Sequence, residues 1–202
     1  MNLPQRIVVA TGNHGKLKEI SYIWRRHFLR VELLGLWEFE NFVMPEEIGK
    51  TYLANARAKA IWVAKKTNMP ALADDSGLEV DALGRIPGVK SARFAGKSSN
   101  DVSNNRLLLS KLDGTHWHKR KATFVCVAVF AEPNGKVIAQ ARGECRGFIL
   151  ASPRGKTGFG YDPLFWVPRY KKTFAELPPE IKNAISHRAR AFSELAEILK
   201  NA

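Results

Sequence analysis

The sequence predicts an α/β protein built around a mixed β-sheet, and two observations support this fold class. Short apolar runs rich in β-branched residues alternate with helix-like segments in the N-terminal half of the chain. Two longer strand-like runs, 122–131 and 136–150, flank the turn at 132–135 and predict a hairpin. Alternating β and α segments favour parallel strands, whereas a hairpin is antiparallel, so the sheet should contain both kinds of pairing.

In the first half of the chain, apolar spacing and turn residues define the elements. Residues 6–11 form a β-branched run, and apolar residues recur at helical spacing over 17–28. The second helix should end before Asn68 and Pro70, which are stop signals. The predicted elements are, in order, strand 6–11, helix 17–28, strand 30–36, an irregular acidic segment 38–50, helix 52–66 and a short strand 71–73 leading into Asp74.

In the second half, glycine and proline mark the breaks. Four such breaks predict a loop over 84–96, and Ser99 or Asn100 is a suitable cap for the following helix. Gly143 should interrupt the second hairpin strand. The last helix could start at Ser186 or at the Pro178-Pro179 pair. The predicted elements are strand 78–80, helix 100–112, strands 122–131 and 136–150, strand 163–167 and a helix reaching Leu199.

Charge is the most unusual property of the composition. The 202 residues contain 32 lysines and arginines against 19 acids, which gives a net charge of +13. Such an excess suggests an anionic partner: a nucleic acid, a membrane surface or phosphorylated small molecules. The segment 32–81 is the exception, because its nine acids outnumber its five bases. A nucleic-acid-binding tail would carry its bases in one run, so we expect no specific nucleic-acid binding.

Apolar runs and cysteines indicate the cellular location. The longest apolar run, 122–131, has about half the length that a membrane helix needs. No signal-peptide pattern precedes the first strand, so we expect a cytoplasmic protein and no membrane partner. Cys126 and Cys145 lie in the two hairpin strands about four residues out of register, too far apart for a disulfide. We therefore expect two buried thiols.

A glycine-containing segment from Thr11 to Lys16, called the glycine loop below, separates the first predicted strand from the first helix. Such a loop exposes backbone N–H groups at the positive end of a helix, which suits a phosphate. It is not a Walker A loop, because only two residues separate its glycines and Leu17 stands where Ser or Thr would bind magnesium. The alternative is a tight turn with a solvated lysine.

Two adjacent carboxylates, Asp74 and Asp75, follow the short strand predicted at 71–73. Mg²⁺ prefers one or two carboxylates together with substrate phosphates and water. Neighbouring side chains on an extended chain point to opposite sides, so both acids could bind one metal only if the strand ends here, as Gly77 suggests. Asp-Ser-Gly is also a common turn, which is the alternative interpretation.

Three further segments carry candidate ligands, each with a structural alternative. Glu46 and Glu47 precede a helix, as metal ligands or as stabilising charges at its N-terminus. Residues 158–163 place aromatic side chains between glycines, where a ring could stack on a base or pack in the core. Residues 182–188 combine lysine, histidine and arginine, which could bind a keto oxygen or a phosphate, or form a solvated helix surface.

Together these segments resemble the inosine triphosphate pyrophosphatase family, whose members are also called XTP/dITP pyrophosphatases. The resemblance extends over nearly the whole chain, from Val8 to Leu195. Each segment alone is weakly specific, whereas five segments in the family's order are strongly so. The segments are Thr11-Gly12-Asn13-x-x-Lys16, Ala73-Asp74-Asp75-Ser76-Gly77-Leu78, Pro87-Gly88 with Ser91-Ala92-Arg93, Gly158-Phe159-Gly160-Tyr161-Asp162-Pro163, and Ser186-His187-Arg188.

The resemblance implies a fold, a reaction and an assembly. The fold would be a single domain over residues 1–202, with a long mixed sheet flanked by helices and a cleft between two lobes. The reaction would split purine nucleoside triphosphates with a deaminated base (ITP, dITP and XTP) into monophosphate and pyrophosphate with Mg²⁺. The protein would be a homodimer that removes damaged nucleotides before polymerases use them.

The resemblance also implies roles for individual residues. Asp75 resembles the catalytic acid, and Glu47, in Glu-x-Gly-x-Thr-Tyr, resembles a metal-binding glutamate, so Glu47 and Asp75 are the expected metal ligands. Ala54 stands where family members often carry a glutamate. The residues expected to contact substrate are Thr11, Gly12, Asn13 and Lys16 for the triphosphate, Ser76 beside the catalytic acid, Phe159, Gly160, Tyr161 and Asp162 for the base, and Lys182, His187 and Arg188 for the remaining base and phosphate contacts.

A mechanism follows from these roles. Phosphoryl transfer needs positioning and charge neutralisation, so lysines 16 and 182 and Arg93 would hold phosphate oxygens. Asp75 would orient the attacking water or take its proton. His187 and Arg188 would donate to the 6-keto oxygen of hypoxanthine or xanthine and would leave a donor unpaired against adenine.

Two alternatives remain open. A house-cleaning pyrophosphatase of similar fold would act on pyrimidine or methylated nucleotides, although the segments 159–162 and 186–188 argue against it. A basic nucleic-acid-binding module would account for the charge of +13 and would bind in a salt-sensitive manner. It gives no reason for Asp74 and Asp75 within an acidic segment.

Overall fold

The computed structural model describes residues 3–46 and 49–201, which form a mixed set of strands and helices. The strands are β1 (Arg6–Val9), β2 (Glu32–Leu34), β3 (Ala71–Val80), β4 (Ile86–Pro87), β5 (Lys121–Ala131), β6 (Val137–Ile149), β7 (Phe165–Val167) and β8 (Lys172–Thr173). The helices are α1 (His14–Arg25), α2 (Tyr52–Thr67), α3 (Asp101–Lys111), α4 (Pro179–Ile185) and α5 (His187–Lys200). No helix in this part of the chain is long and apolar enough to cross a bilayer.

The strands form one sheet in the order β2-β1-β3-β5-β6-β7-β8, with β4 paired to β3. β1 pairs in parallel with β2 and with β3, so that Val8 lies opposite Leu34 on one side and Ala71 on the other. β4 pairs antiparallel with β3, and β7 pairs antiparallel with both β6 and β8. The predicted α/β class and mixed sheet are confirmed.

The chain divides into two compact units. Unit 1 comprises Met1–Asp75, Cys126–Gly143 and Ser186–Ala202, and unit 2 comprises Ser76–Val125 and Glu144–Ile185. Three strands, β3, β5 and β6, therefore begin in one unit and end in the other along the chain.

The core of unit 1 packs α1 and α5 against β-branched and small residues of the strands. Trp24 of α1 lies at its centre, with its ring centroid 5.0 Å from that of Phe28 and 6.4 Å from that of Phe192 in α5. Cys126 belongs to this core as a free, buried thiol, and Cys145 is likewise buried and free, so the prediction of two buried thiols is confirmed.

The core of unit 2 is aromatic. The ring centroid of Phe165 lies 4.6 Å from that of Phe124 and 4.9 Å from that of Phe174. Leu78 of β3 and Leu108 of α3 are fully buried in the same cluster. α3 begins after Asn100, whose side chain accepts a hydrogen bond from the backbone N–H of Ser103, as predicted for a cap at this position.

Gly143 does not break the second hairpin strand, so that expectation was wrong. β6 runs without interruption through it. A Cβ atom at this position would collide with the backbone oxygen of His187 and the backbone nitrogen of Ala191. The glycine lets the backbone of α5 approach the strand closely, which is a packing requirement rather than a bend.

Besides shifts of a few residues at the ends of elements, three segments differ from the predictions in the elements they contain. The strand expected to end before Asp74 continues without a break through Asp75 and Gly77 to Val80. The loop expected over 84–96 contains β4 and a 3₁₀ helix, Gly88–Arg93. The last helix is two helices, α4 and α5, and Ser186 caps the second by accepting a hydrogen bond from the backbone N–H of Ala189.

Candidate functional site

The glycine loop of unit 1 is shaped by its own polar side chains. Asn13 caps α1, because its side-chain oxygen accepts a hydrogen bond from the backbone N–H of Lys16 at 3.0 Å. The backbone N–H of Asn13 in turn donates to Thr11 Oγ1 at 3.1 Å. A Cβ at Gly12 would meet no atom within 4 Å. The loop is therefore fixed internally and open beside Gly12, at the positive end of a helix.

Asp74 on β3 is buried between two cations of unit 1. Lys16 Nζ lies 3.3 Å from Asp74 Oδ2, and Arg188 Nη2 lies 3.2 Å from the same oxygen. The guanidinium also binds Glu19 of α1, with Nη1 at 2.6 Å from Oε2. The glycine loop and the helix that begins at His187 thus meet at one carboxylate.

Arg188 is itself almost fully buried, with 2% of its surface exposed. Burial disfavours its charge, but Asp74 and Glu19 more than offset that penalty and raise the pKa of Arg188 above its ordinary value. The guanidinium is therefore permanently charged, and both of its terminal nitrogens are engaged by carboxylates of this chain.

Asp75 is held from a different helix. Asn55 Nδ2 donates to Asp75 Oδ2 at 3.0 Å, and Lys59 Nζ lies 3.6 Å from Asp75 Oδ1. Both partners come from α2, and the carboxylate, the amide and the ammonium group are all buried. Gly49 lies directly against Asn55, because a Cβ at that glycine would collide with the Asn55 side-chain oxygen.

The hydrogen bonds described above direct the two adjacent carboxylates to different helices, which corrects one expectation about the metal. Sharing a metal required the strand to end at Gly77, but β3 continues past it to Val80. The side chains of Asp74 and Asp75 therefore alternate, one toward α1 and α5 and the other toward α2. Beside α2, Asp75 is therefore the carboxylate that could bind a metal, and Asp74 lies on the other side of the strand.

The donor set suits a magnesium ion that is only partly bound by protein. Residues 3–46 and 49–201 contain no group of three or more His, Cys, Asp or Glu side chains arranged to hold a metal. Glu47, the other expected ligand, lies outside the described residues. A single buried carboxylate oxygen donor fits Mg²⁺, because this ion commonly binds through one or two carboxylates and completes its coordination with phosphates and water.

In unit 2, the segment from Phe159 to Asp162, called the aromatic loop below, is anchored through the backbone of Gly160. The Gly160 N–H donates to Asp101 Oδ2 at 2.7 Å, and Asn105 Nδ2 donates to the Gly160 carbonyl at 3.0 Å. Both anchors lie on α3, one turn apart. Gly160 has φ of 62°, a conformation that favours glycine at this turn.

The two ends of the aromatic loop are joined by Asp162. Its Oδ2 accepts a hydrogen bond from the Phe159 backbone N–H at 2.9 Å and binds the ammonium group of Lys182, and both side chains are buried. Lys182 Nζ also lies 4.8 Å from the centre of the Phe159 ring, a cation–π distance. Phe159 is thereby held next to a charged pair rather than in the apolar core.

Tyr161 fixes the middle of the aromatic loop. Its hydroxyl donates to the backbone carbonyl of Ser91 at 2.9 Å, in the 3₁₀ helix that also contains Arg93. Burial, with a smaller contribution from the charge of Asp101, raises the pKa of Tyr161. The hydroxyl therefore stays protonated and keeps this hydrogen bond across the pH range in which proteins work.

The expected site residues fall into two groups, one in each unit. The unit 1 group gathers around Asp74, Asp75 and the glycine loop, and the unit 2 group around the aromatic loop. Ser76, which follows Asp75 on β3, is half-buried. Unit 1 contains Thr11, Gly12, Asn13, Lys16, Asp75, His187 and Arg188, and unit 2 contains Ser76, Arg93, Phe159, Gly160, Tyr161, Asp162 and Lys182.

Sequence reasoning did not single out the residues that hold these groups in place. Asn55 and Lys59 lie four apart on the face of α2 that also carries buried alanines, and a lysine on an apolar face is rarely buried without a partner. That pattern could have identified Asn55 and Lys59 from the sequence. No sequence pattern identifies Glu19, Asp101 and Asn105, because acids and amides are common on exposed helix surfaces and their partners here are distant in sequence.

The fold and the site place the chain in a class of mixed α/β proteins with a glycine-loop site and a buried acid on the central strand. The family model described as Ham1 family matches residues 7–198, so the chain belongs to the Ham1 family. The resemblance seen in the five sequence segments is thereby confirmed.

Individual relatives agree with this membership. A dITP/XTP pyrophosphatase from Desulforamulus reducens is 51% identical over 194 residues, covering 96% of this chain and 95% of the relative. A dITP/XTP pyrophosphatase from Geobacter sulfurreducens is 50% identical and covers 96% of each chain. The solved structure of a HAM1 protein from Coxiella burnetii superposes with a TM-score of 0.86 at 41% identity, over 98% of this chain and 100% of the other.

Proposed function

We propose that this protein is an enzyme that hydrolyses non-standard purine nucleoside triphosphates (ITP, dITP and XTP) to the monophosphate and pyrophosphate. The observation that carries the proposal is the buried Asp75, held by Asn55 and Lys59 in the same unit as the glycine loop. Two relatives that are about half identical in sequence are dITP/XTP pyrophosphatases, which supports this reaction class.

Asp75 acts on the attacking water in this proposal. Its carboxylate orients the water or accepts its proton. Asn55 fixes the orientation of the carboxylate, and the ammonium group of Lys59 compensates its buried negative charge. Asp74 does not take part directly, because Lys16 and Arg188 already bind it.

Mg²⁺ is the proposed metal, with Asp75 and Glu47 as its protein ligands. When bound, it would polarise phosphate oxygens and lower the pKa of a bound water. Gly49, two residues along the chain from Glu47, lies against the same Asn55 that binds Asp75, which supports this pairing of ligands. The chemistry of the donors, oxygen only, suits this ion.

The triphosphate is assigned to the glycine loop. Thr11, Gly12 and Asn13 would contact the triphosphate where the loop is open beside Gly12, at the positive end of α1, and the ammonium group of Lys16 would bind phosphate oxygens. The Lys16 side chain is 22% exposed and lies at 3.3 Å from Asp74, so it keeps part of its donor capacity for a ligand. Arg93 and Lys182 are the further proposed phosphate contacts.

The purine base is assigned to the aromatic loop. Phe159 would stack on the base, and Gly160, Tyr161 and Asp162 would hold the ring's position through the bonds that fix the loop. Ser76, His187 and Arg188 complete the proposed contacts. Hydrogen-bond donors aimed at the 6-position would accept hypoxanthine and xanthine and reject adenine.

The biological setting completes the proposal. We infer a cytoplasmic homodimer whose 202 residues form a single domain. Its role would be to remove deaminated nucleotides from the pool of nucleic-acid precursors.

A substrate panel tests the proposed function. Purified protein with Mg²⁺ should release pyrophosphate from ITP, dITP and XTP at kcat/KM values at least about 100-fold above those for ATP, because a mismatched donor rejects strongly. Omitting Mg²⁺ or adding EDTA should abolish the release. Preference for a pyrimidine or methylated nucleotide would favour the rival house-cleaning activity, and no release from any nucleotide would reject the proposal.

A further inference from the structure

The glycine loop contains a polar side chain that the proposed function does not use, that of His14. Thr11 and Asn13 bond within the loop. Lys16 binds Asp74, with 3.3 Å between Nζ and Oδ2. His14 is exposed, and its imidazole makes no hydrogen bond to any residue in the described part of the chain. Since an imidazole can donate from a ring nitrogen, His14 can serve a ligand at this loop.

Trp37 holds this imidazole in a defined position. The two rings are stacked, with 3.9 Å between their centroids and 26° between their planes. The Trp37 ring lies against Gly35, where a Cβ would collide with it. The Glu38 carboxylate accepts a hydrogen bond from the Gly35 backbone N–H at 2.7 Å, which fixes the turn that carries Trp37. The imidazole is therefore preorganised, and binding a ligand costs it little side-chain entropy.

The stack lies outside the core, at the end of the parallel strands. Trp37 is 46% exposed. β1 pairs in parallel with β2 on one side and with β3 on the other. The Trp37 turn follows β2, the glycine loop follows β1, and Asp75 lies on β3. The glycine loop is therefore flanked by Asp75 on one side and by Trp37 on the other, at the sheet edge where parallel strands bind ligands.

This order gives the triphosphate a direction across the loop. Release of monophosphate and pyrophosphate requires attack on the first phosphorus, which places that phosphate beside Asp75. The second and third phosphates then extend over the glycine loop toward the end of β2. Neighbouring strands lie about 5 Å apart, so this side is roughly 10 Å from β3, a distance that an extended triphosphate and its hydrogen bonds can span.

We propose that His14, held in place by Trp37, binds the terminal phosphate of the substrate and gives the enzyme a preference for triphosphates over diphosphates. The inference rests on the proposed function and adds two residues to it. His14 contacts the substrate, and Trp37 is a positioning residue that acts through the imidazole.

Removal of the imidazole is the first test. His14→Ala should lower the ratio of kcat/KM for dITP to that for the diphosphate dIDP by about 10-fold, the usual effect of losing one hydrogen bond to a charged group. The change should appear in KM for dITP, with kcat little altered, because the surroundings of Asp75 are untouched. His14→Gln keeps an N–H donor and should restore most of the ratio.

The matched control is His116→Ala, which removes an exposed histidine of unit 2 and should keep the wild-type ratio. An unchanged ratio in His14→Ala would overturn the proposal.

Binding of inorganic tripolyphosphate tests the contact without catalysis. In calorimetric titrations of the full chain with Mg²⁺, His14→Ala should weaken tripolyphosphate binding about 10-fold and leave the binding of dIMP, which has no terminal phosphate, unchanged. In ¹H–¹⁵N spectra, the imidazole resonances of His14 should shift on addition of tripolyphosphate but not of dIMP. Equal weakening for both ligands, or a His14 resonance that tripolyphosphate leaves unchanged, contradicts the proposed contact.

A double-mutant cycle tests the role of Trp37. Trp37→Leu removes the stacked ring and should weaken tripolyphosphate binding about threefold in the wild-type background but not in His14→Ala. Trp37→Phe retains an aromatic ring and should restore the affinity. Trp62→Leu is the control, because Trp62 is 45% exposed in the same unit. An equal effect of Trp37→Leu in both backgrounds would remove Trp37 from its positioning role.

Pyrophosphate release from dITP by the wild type separates this inference from the proposed function. A wild type that binds tripolyphosphate through His14 but releases no pyrophosphate would reject the proposed function and keep the phosphate contact. Normal release, with no effect of His14→Ala in either assay, would reject the inference alone.

Discussion

The two groups of candidate residues are held in place by different interactions. In unit 1, charged side chains bind each other, as Asp74 does with Lys16 and Arg188, and as Asp75 does with Lys59. In unit 2, the ion pair between Lys182 and Asp162 is accompanied by side chains that bind the backbone, as Asp101 and Asn105 do at Gly160. Ion pairs therefore predominate around the two carboxylates of unit 1, whereas the aromatic loop of unit 2 is positioned mainly through its backbone.

This difference predicts which kinetic constant a substitution in each group should change. A change beside Asp75 in unit 1 should alter the rate of the chemical step, because the electrostatic balance around a reacting group changes. A change at the backbone anchors of the aromatic loop in unit 2 should alter substrate affinity and discrimination, because the position of the stacking ring changes. The variants below test that separation, beginning with the strongest expected effect.

Asp75→Asn should have the largest effect. The amide keeps the size of the carboxylate and can still accept the hydrogen bond from Asn55, but it cannot take a proton from water. We expect kcat for dITP to fall by about 10²–10⁴-fold. Initial rates of pyrophosphate release at saturating dITP measure the change.

The matched control for this variant is Asp113→Asn, an exposed acid in unit 2 that should keep wild-type activity. Circular dichroism and thermal melting show whether the fold survives. Near-normal turnover in folded Asp75→Asn would remove Asp75 from its proposed role.

Lys59→Met should have the second largest effect, on stability as well as on rate. It leaves the buried Asp75 without its ammonium neighbour at 3.6 Å. Breaking a buried ion pair from one side typically costs about 3–5 kcal/mol of folding free energy. Urea unfolding monitored by fluorescence measures this loss, and kcat should fall because the Asp75 carboxylate loses a neighbour that helps to hold it in place.

A double variant makes the Lys59 prediction specific. If the penalty arises from the uncompensated carboxylate, Lys59→Met combined with Asp75→Asn should be more stable than Lys59→Met alone. Additive losses would show that Lys59 contributes through packing instead, and the electrostatic description of unit 1 would then be wrong.

The sequence predicted the parts of these groups that depend on local pattern. The glycine loop and the aromatic loop are contiguous segments, and each was predicted from its own residues. Other features depend on neighbours that are distant in sequence. These are the continuation of β3 through Gly77, the uninterrupted β6, and the contacts of Asn55 with Asp75 and of Asp101 with Gly160. Gly143 is the clearest example. From the sequence it predicts a break in the strand, whereas in the structure it allows the backbone of α5 to contact β6.

Asn105→Ala should have the smallest effect, and one of a different kind. It removes one neutral hydrogen bond to the Gly160 carbonyl, worth about 1 kcal/mol, while Asp101 still holds the Gly160 N–H. We expect KM for dITP to rise about fivefold with kcat little changed, because the aromatic loop is less well positioned. Arg106→Ala, an exposed neighbour on α3, is the control and should change neither constant. A fall in kcat at constant KM would show that unit 2 also governs the chemical step, and the separation between the two units would not hold.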